Sequence, residues 1–126
     1  SVKQYEVSLT TLDQIVANRS VDLIKIDIEG FEVDALRGAA LTLARKPAVI
    51  CEVSEYSLTK AGSSKDKLFE LMRNHGYEAT ILSPIRRSNS SKGDVHFQYD
   101  VIFERPENSN VVRGEQAVDI SAGQAN

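Results

Sequence analysis

Two carboxylates and a glycine, Asp27, Glu29 and Gly30, stand together at the end of the clearest strand pattern in the chain, Asp22-Leu23-Ile24-Lys25-Ile26-Asp27-Ile28. Residues two apart in an extended segment project to the same side, so the two acids can share one space. Carboxylates in that arrangement can hold a polar ligand, position a hydroxyl, or act as a base. Gly30 allows a sharp turn and a close backbone approach. The free amides at the start of the next helix favour an anion nearby. Glu52, near the end of a second strand, is a third acid for the same region. A plainer account is equally open: Asp27 as a hydrogen-bonded strand terminus and Glu29 as an acid suited to the helix dipole.

Other chemistry-bearing residues read more simply. Lys25 lies mid-strand, with its stem over apolar surface and its ammonium at the sheet edge, or paired with Asp27 or Glu52. His75 sits at a helix end, where a cation is favourable, and His96 lies on the polar face of a strand. Neither has a second ligand at metal spacing. Cys51, the single cysteine, reads as a small core residue. It excludes an internal disulfide or a multi-cysteine zinc site, and a reducing, cytoplasmic setting is the default. Gly38, inside a helix, is explained by close packing on the sheet. Arg86, Arg87 and Lys92 form a basic, solvated loop.

The elements that must position these groups follow from periodicity. Tyr5 to Leu9 reads as a short strand, and Thr10 starts a helix with Asp13 three residues on in capping-box fashion. Asp22 to Ile28 carries apolar residues on both faces, the habit of a parallel strand. Phe31 to Arg45 is helical, with Val33, Leu36, Ala40 and Leu43 on one face, and Pro47 ends it. Ala48 to Ser54 is a second strand, which completes a right-handed βαβ unit. A polar loop, Glu55 to Ser63, leads to Ser64, the cap of another helix that ends at Gly76. Glu78 to Ser83 and Val95 to Glu104 read as strands joined by a polar loop, and the clean alternation of the second suits an antiparallel hairpin. The fold class is therefore α/β: a parallel βαβ core closing in an antiparallel hairpin. Residues 106–126 have low apolar density and read as a loose tail.

The 126 residues are room for one domain. Hydrophobic residues make up 41% and charged residues 26%, as in an ordinary globular chain. The net charge of -3 argues against a nucleic-acid partner. Nothing approaches the roughly 18 consecutive apolar residues of a membrane span, and no signal peptide is visible. The only methionine is Met72 and the first residue is Ser1, so the chain reads as trimmed, processed or cut from something longer.

Several linked motifs resemble the FkbM-type methyltransferase family. They are Thr11-Leu12-Asp13 at a helix start, Ile24 to Gly30 as an I-K-I-D-x-E-G strand and turn, and Glu32, Leu36, Gly38 and Ala39 as an E-x-x-x-L-x-G-A helix. Pro47 and Glu52 match a P-x-x-x-x-E strand, and Gly76-Tyr77 a helix-ending G-Y. The resemblance covers about residues 7 to 105. It implies a Rossmann-like enzyme that uses S-adenosyl-L-methionine to methylate a hydroxyl of a sugar or natural product. Asp27 and Glu29 would then orient the accepting hydroxyl or draw off its proton. Asp27 and Gly30 would border the cofactor, and Glu52 the substrate.

The family's glycine-rich first turn has no counterpart, because no two of the seven glycines are close enough to form G-x-G. The resemblance therefore implies that residues 1–105 are the carboxyl-terminal half of such a domain, with most of the cofactor site elsewhere. The Asp22 to Ile28 strand would then have a bare apolar edge, open to a missing upstream half or to self-association. Two other readings compete. Asp27 and Glu29 could be a two-metal pair for phosphodiester cleavage, or the chain could be a non-catalytic interaction module.

Overall fold

The computed structural model describes residues 2–89, 92–106 and 117–121. Its helices are α1 (Leu12–Val16), α2 (Glu32–Arg37), α3 (Ala40–Ala44), α4 (Glu55–Lys60) and α5 (Lys65–Asn74). Its strands are β1 (Leu23–Asp27), β2 (Ala48–Ser54), β3 (Glu78–Ile81), β4 (Arg86–Asn89), β5 (Val95–Glu104) and β6 (Ala117–Ser121). They form one sheet in the order β3-β5-β2-β1-β6, with β4 also on β5. β1 and β2 run parallel, as expected of a βαβ unit, with Ile24 opposite Val49 and Ile26 opposite Cys51. β5 lies antiparallel to both β2 and β3. Among the described residues, no helix is long and apolar enough to cross a membrane.

The sheet is covered on one face. Ile24 and Ile26 of β1 join Val49, Cys51 and Val53 of β2 and Val101 and Phe103 of β5 in a core with Leu36, Leu43, Leu58, Leu68 and Met72 from the helices. The other face presents Lys25, Ile50, Glu52, Asp100 and Ile102, none fully buried. Burial of β1 on both sides, expected from its apolar run, is therefore corrected: among the described residues the second face has no covering layer.

Four further expectations change. Tyr5 to Leu9 is not a strand; Tyr5, Val7 and Leu9 are exposed. Alternation alone does not make a strand where no neighbour supplies backbone partners. The helix expected over Phe31 to Arg45 breaks at Gly38 and Ala39 into α2 and α3. Gly38 packs on Thr11 of the α1 cap rather than on the sheet, since a Cβ there would lie 3.2 Å from the Thr11 Cβ. The polar loop after Pro84 contains β4, held on β5 with Arg86 opposite Gln98.

The fourth concerns the edge of β1. β6 pairs parallel to β1 from Leu23↔Ala117 to Asp27↔Ser121, so the edge expected to be bare is occupied. The loose-tail reading of 106–126 gives way at these five residues. Low average apolar content hid the short alternation of Val118 and Ile120, and Ile120 packs against the core. The remaining expectation for the tail, over 107–116 and 122–126, lies outside the described residues.

The helix caps are local chemistry with one long-range exception. Thr11, not Thr10, caps α1, and its capping-box partner is Gln14, not Asp13. Asp13 is thereby free to reach the start of α3. Its carboxylate accepts from the Leu41 amide at 3.1 Å, the Thr42 amide at 2.8 Å and the Thr42 hydroxyl at 2.7 Å. Burial alone would raise its pKa, but these bonds, with Arg45 adding to them, hold it below the usual value. Replacing Asp13 by Ala is expected to destabilise the fold by about 1–2 kcal/mol, read as a lower urea midpoint. The stability lost is the part present above the ordinary value of 3.8. In the parent it fades as pH falls through the lower folded value.

Candidate active site

A short connection from β1 into α2 builds the site. Glu29 adopts a left-handed backbone at φ 52° and Gly30 follows at φ 104°. Only glycine fits at position 30: a Cβ there would lie 2.1 Å from the Ser57 carbonyl oxygen of α4. The Gly30 amide turns inward and donates to both carboxylate oxygens of Glu32, at 3.2 and 3.0 Å.

The other wall is α4, where a polar loop was expected. The Ser54 hydroxyl caps it by accepting from the Ser57 amide at 3.3 Å. Glu55 accepts from the Lys65 amide at 2.7 Å, which ties α4 to α5. Leu58 is the one buried residue of α4, too little periodicity to reveal a helix in the sequence. Tyr56 stacks on His96 of β5 with centroids 3.7 Å apart.

Together these elements enclose a cavity of about 250 Å³ lined by Asp27, Glu29, Glu32, Glu52, Ser54, Ser57 and Gln98. Asp27, Glu29 and Glu52, singled out in the sequence, therefore meet in one crevice. Gly30 does not line it but sets its shape. Asp27 and Glu52 also border a second cavity of about 350 Å³ on the open sheet face. Glu32 joins them from the start of α2 and Gln98 from β5. Ser57, which carries no signal in the sequence, is brought in by the placement of α4.

The site is electrostatically unbalanced. Glu32 is only 2% exposed. Burial raises its pKa; the Gly30 bond pulls the other way, and the charges of Asp27 and Glu52 push it further up. Glu52 is also raised, first by partial burial and then by Asp27, while Arg86 opposes the shift. The Arg86 guanidinium lies 3.4 Å from Asp100 and 3.9 Å from Glu52. Among the described residues, no hydrogen bond or ion pair engages the Asp27 or Glu29 carboxylates. An occupant that donates hydrogen bonds is what such a lining accepts best.

The remaining candidates fall outside this crevice. Lys25 pairs with neither Asp27 nor Glu52; its nearest acid is Asp119, at 4.0 Å. Cys51 is buried in the core, where loss of hydration pushes its thiol up and keeps it inert. The His75 carbonyl accepts from Arg105 at 2.7 Å. Among the described residues no group of three or more His, Cys, Asp or Glu is placed to hold a metal ion.

Two outcomes follow from this geometry. Gly30→Ala is expected to cost roughly 2–4 kcal/mol through the clash with Ser57 and the positive φ, read as a lower melting temperature. Glu32 supplies a pH dependence. Its folded pKa lies above the unfolded value of 4.5, so the folded state binds the proton more tightly. Its effect on stability is best below 4.5 and declines as pH rises through the raised folded value. Glu52 acts in the same direction. Urea midpoints between about pH 4 and 8 should fall more steeply for the parent than for Glu32→Gln, whose amide oxygen can still accept from Gly30.

Comparison with known proteins agrees with the motifs. The family model of the methyltransferase FkbM domain matches residues 1–79. The AMB antimetabolite synthetase AmbE of Pseudomonas aeruginosa is 34% identical over 79 residues, covering 58% of this chain and 4% of that protein. The chain thus spans a small fraction of the length of this curated relative. No solved structure matches. With Asp27, Glu29, Glu32 and Glu52 of those motifs lining one crevice, the chain belongs to the FkbM methyltransferase domain family.

Proposed function

We propose that this chain forms the acceptor side of an S-adenosyl-L-methionine-dependent O-methyltransferase acting on a hydroxyl of a small molecule. The supporting observation is the Asp27 carboxylate, which has no partner among the described residues and borders both cavities at the end of β1. The acid-rich lining suits the positive charge of the donor's sulfonium end, held by Asp27 and Glu29. Among the described residues there is no glycine-rich turn to cradle its nucleoside, so we assign that part of the site to chain beyond these residues. The bound cofactor supplies an electrophilic methyl group.

The chain's own residues supply placement and a proton acceptor. Asp27 accepts a hydrogen bond from the acceptor hydroxyl and takes its proton as the oxygen is alkylated. Glu52, held by Arg86, fixes the orientation of that hydroxyl, and positioning contributes most of the acceleration in such a displacement. Glu29, on a strained backbone, borders the same space. Buried Glu32 holds the Gly30 amide and so keeps the turn rigid.

The test is Asp27→Asn in the protein as its gene encodes it. Methyl transfer from labelled S-adenosyl-L-methionine is expected to fall by about 10²–10⁴ in kcat, with the melting temperature unchanged. Transfer that survives the substitution at the parent rate would remove Asp27 from the reaction.

A further inference from the structure

We infer that the second cavity, on the open face of the sheet, binds a molecule that carries a carboxylate as well as a hydroxyl, with Lys25 holding the carboxylate and Asp27 the hydroxyl. The inference rests on the methyltransferase reading only in calling that molecule the acceptor.

Strand register lays out the cavity. Lys25 stands opposite Ile50, and Ile50 opposite Ile102. One row further along, Glu52 stands opposite Asp100, and Asp27 shares that end of the sheet. The two rows are two residues apart, or about 6.6 Å. A ligand lying along the strands thus meets an ammonium at one end and carboxylates at the other. Ile50, beside Lys25, and Leu82, whose amide donates to the Asp100 carbonyl, line the same cavity with apolar surface.

The charges at the two ends are unequally engaged. Arg86 already occupies Asp100 and approaches Glu52, which leaves Asp27 to receive a donor. Among the described residues, Lys25 is the only cation in the lining. Its pairing with Asp119 is long, at 4.0 Å, and both side chains are about half exposed. Such a pair holds the ammonium weakly, so a ligand carboxylate can take it. A neutral sugar would leave the ammonium unused and set ring hydroxyls against Ile50 and Leu82. A hydroxy acid with a short methylene stem offers a carboxylate to Lys25, a hydroxyl to Asp27 and apolar surface to Ile50 and Leu82.

The experiment is an amide NMR titration of the full 126-residue chain with three probes: 6-hydroxyhexanoate, its methyl ester, and glucose. The hydroxy acid is expected to shift the amides of residues 25–27 and 50–52. The ester should bind about tenfold more weakly, because a charge-assisted contact is lost. Lys25→Met should show the same loss for the acid and none for the ester, while Lys25→Arg retains binding. No shift with the acid, equal affinity for acid and ester, tighter binding of glucose, or indifference to Lys25→Met each overturns the inference. Carboxylate-dependent and Lys25-dependent binding supports it even where no methyl transfer to hydroxy acids is detected. That failure would count against the transferase reading alone. Conversely, Asp27-dependent transfer to a neutral acceptor that ignores Lys25→Met would overturn the inference and leave the transferase reading intact.

Discussion

The approach of Gly30 to the Ser57 carbonyl is the contact on which the site depends. A side chain at position 30 would meet that oxygen at 2.1 Å, so the end of β1 and the backbone of α4 can pack together only through a glycine. That packing closes one wall of the acidic cavity and turns the Gly30 amide toward Glu32. It also fixes Glu29 in a left-handed conformation, a strain that persists only where the surroundings over-determine it. Glu29, Glu32 and Ser57 share one crevice because one turn has no side chain.

Stability and chemistry pull apart in this crevice. Glu32 is buried, with the Gly30 amide donating to it, and its ionisation is opposed by burial and by neighbouring acids. Glu52 feels the same opposition, relieved in part by Arg86. A core assembled for stability alone would not gather four carboxylates around one cavity. Elsewhere the chain treats its acids conservatively. Asp13 receives three donors at the start of α3, and Arg86 grips Asp100.

Much of this was legible before any coordinates. The βαβ unit, the glycine turn and the antiparallel β5 follow from apolar spacing and breakers, and Asp27, Glu29 and Glu52 stand out by their position at strand ends. Failures came where the deciding partner is distant in sequence. Tyr5 to Leu9 alternates like a strand yet has no strand neighbour among the described residues. Asp13 looks like a capping-box acid of its own helix yet caps another one 28 residues away. α4 offers a single buried leucine, and β6 two apolar residues in a polar stretch, so neither has a period strong enough to register.

The sequence by itself determined the local terms: which segments extend or coil, where the chain must turn, and which carboxylates end a strand. These depend on residues within a few positions of each other, and backbone sterics and periodicity decide them. Only the tertiary structure decided that β6 closes the edge of β1, that one face of the sheet has no covering layer among the described residues, and that Lys25 lies nearest Asp119 of β6 rather than Asp27 or Glu52. Those outcomes turn on strand order and register, which are set by competition among distant surfaces for burial and backbone partners and leave no signature in any short window of residues.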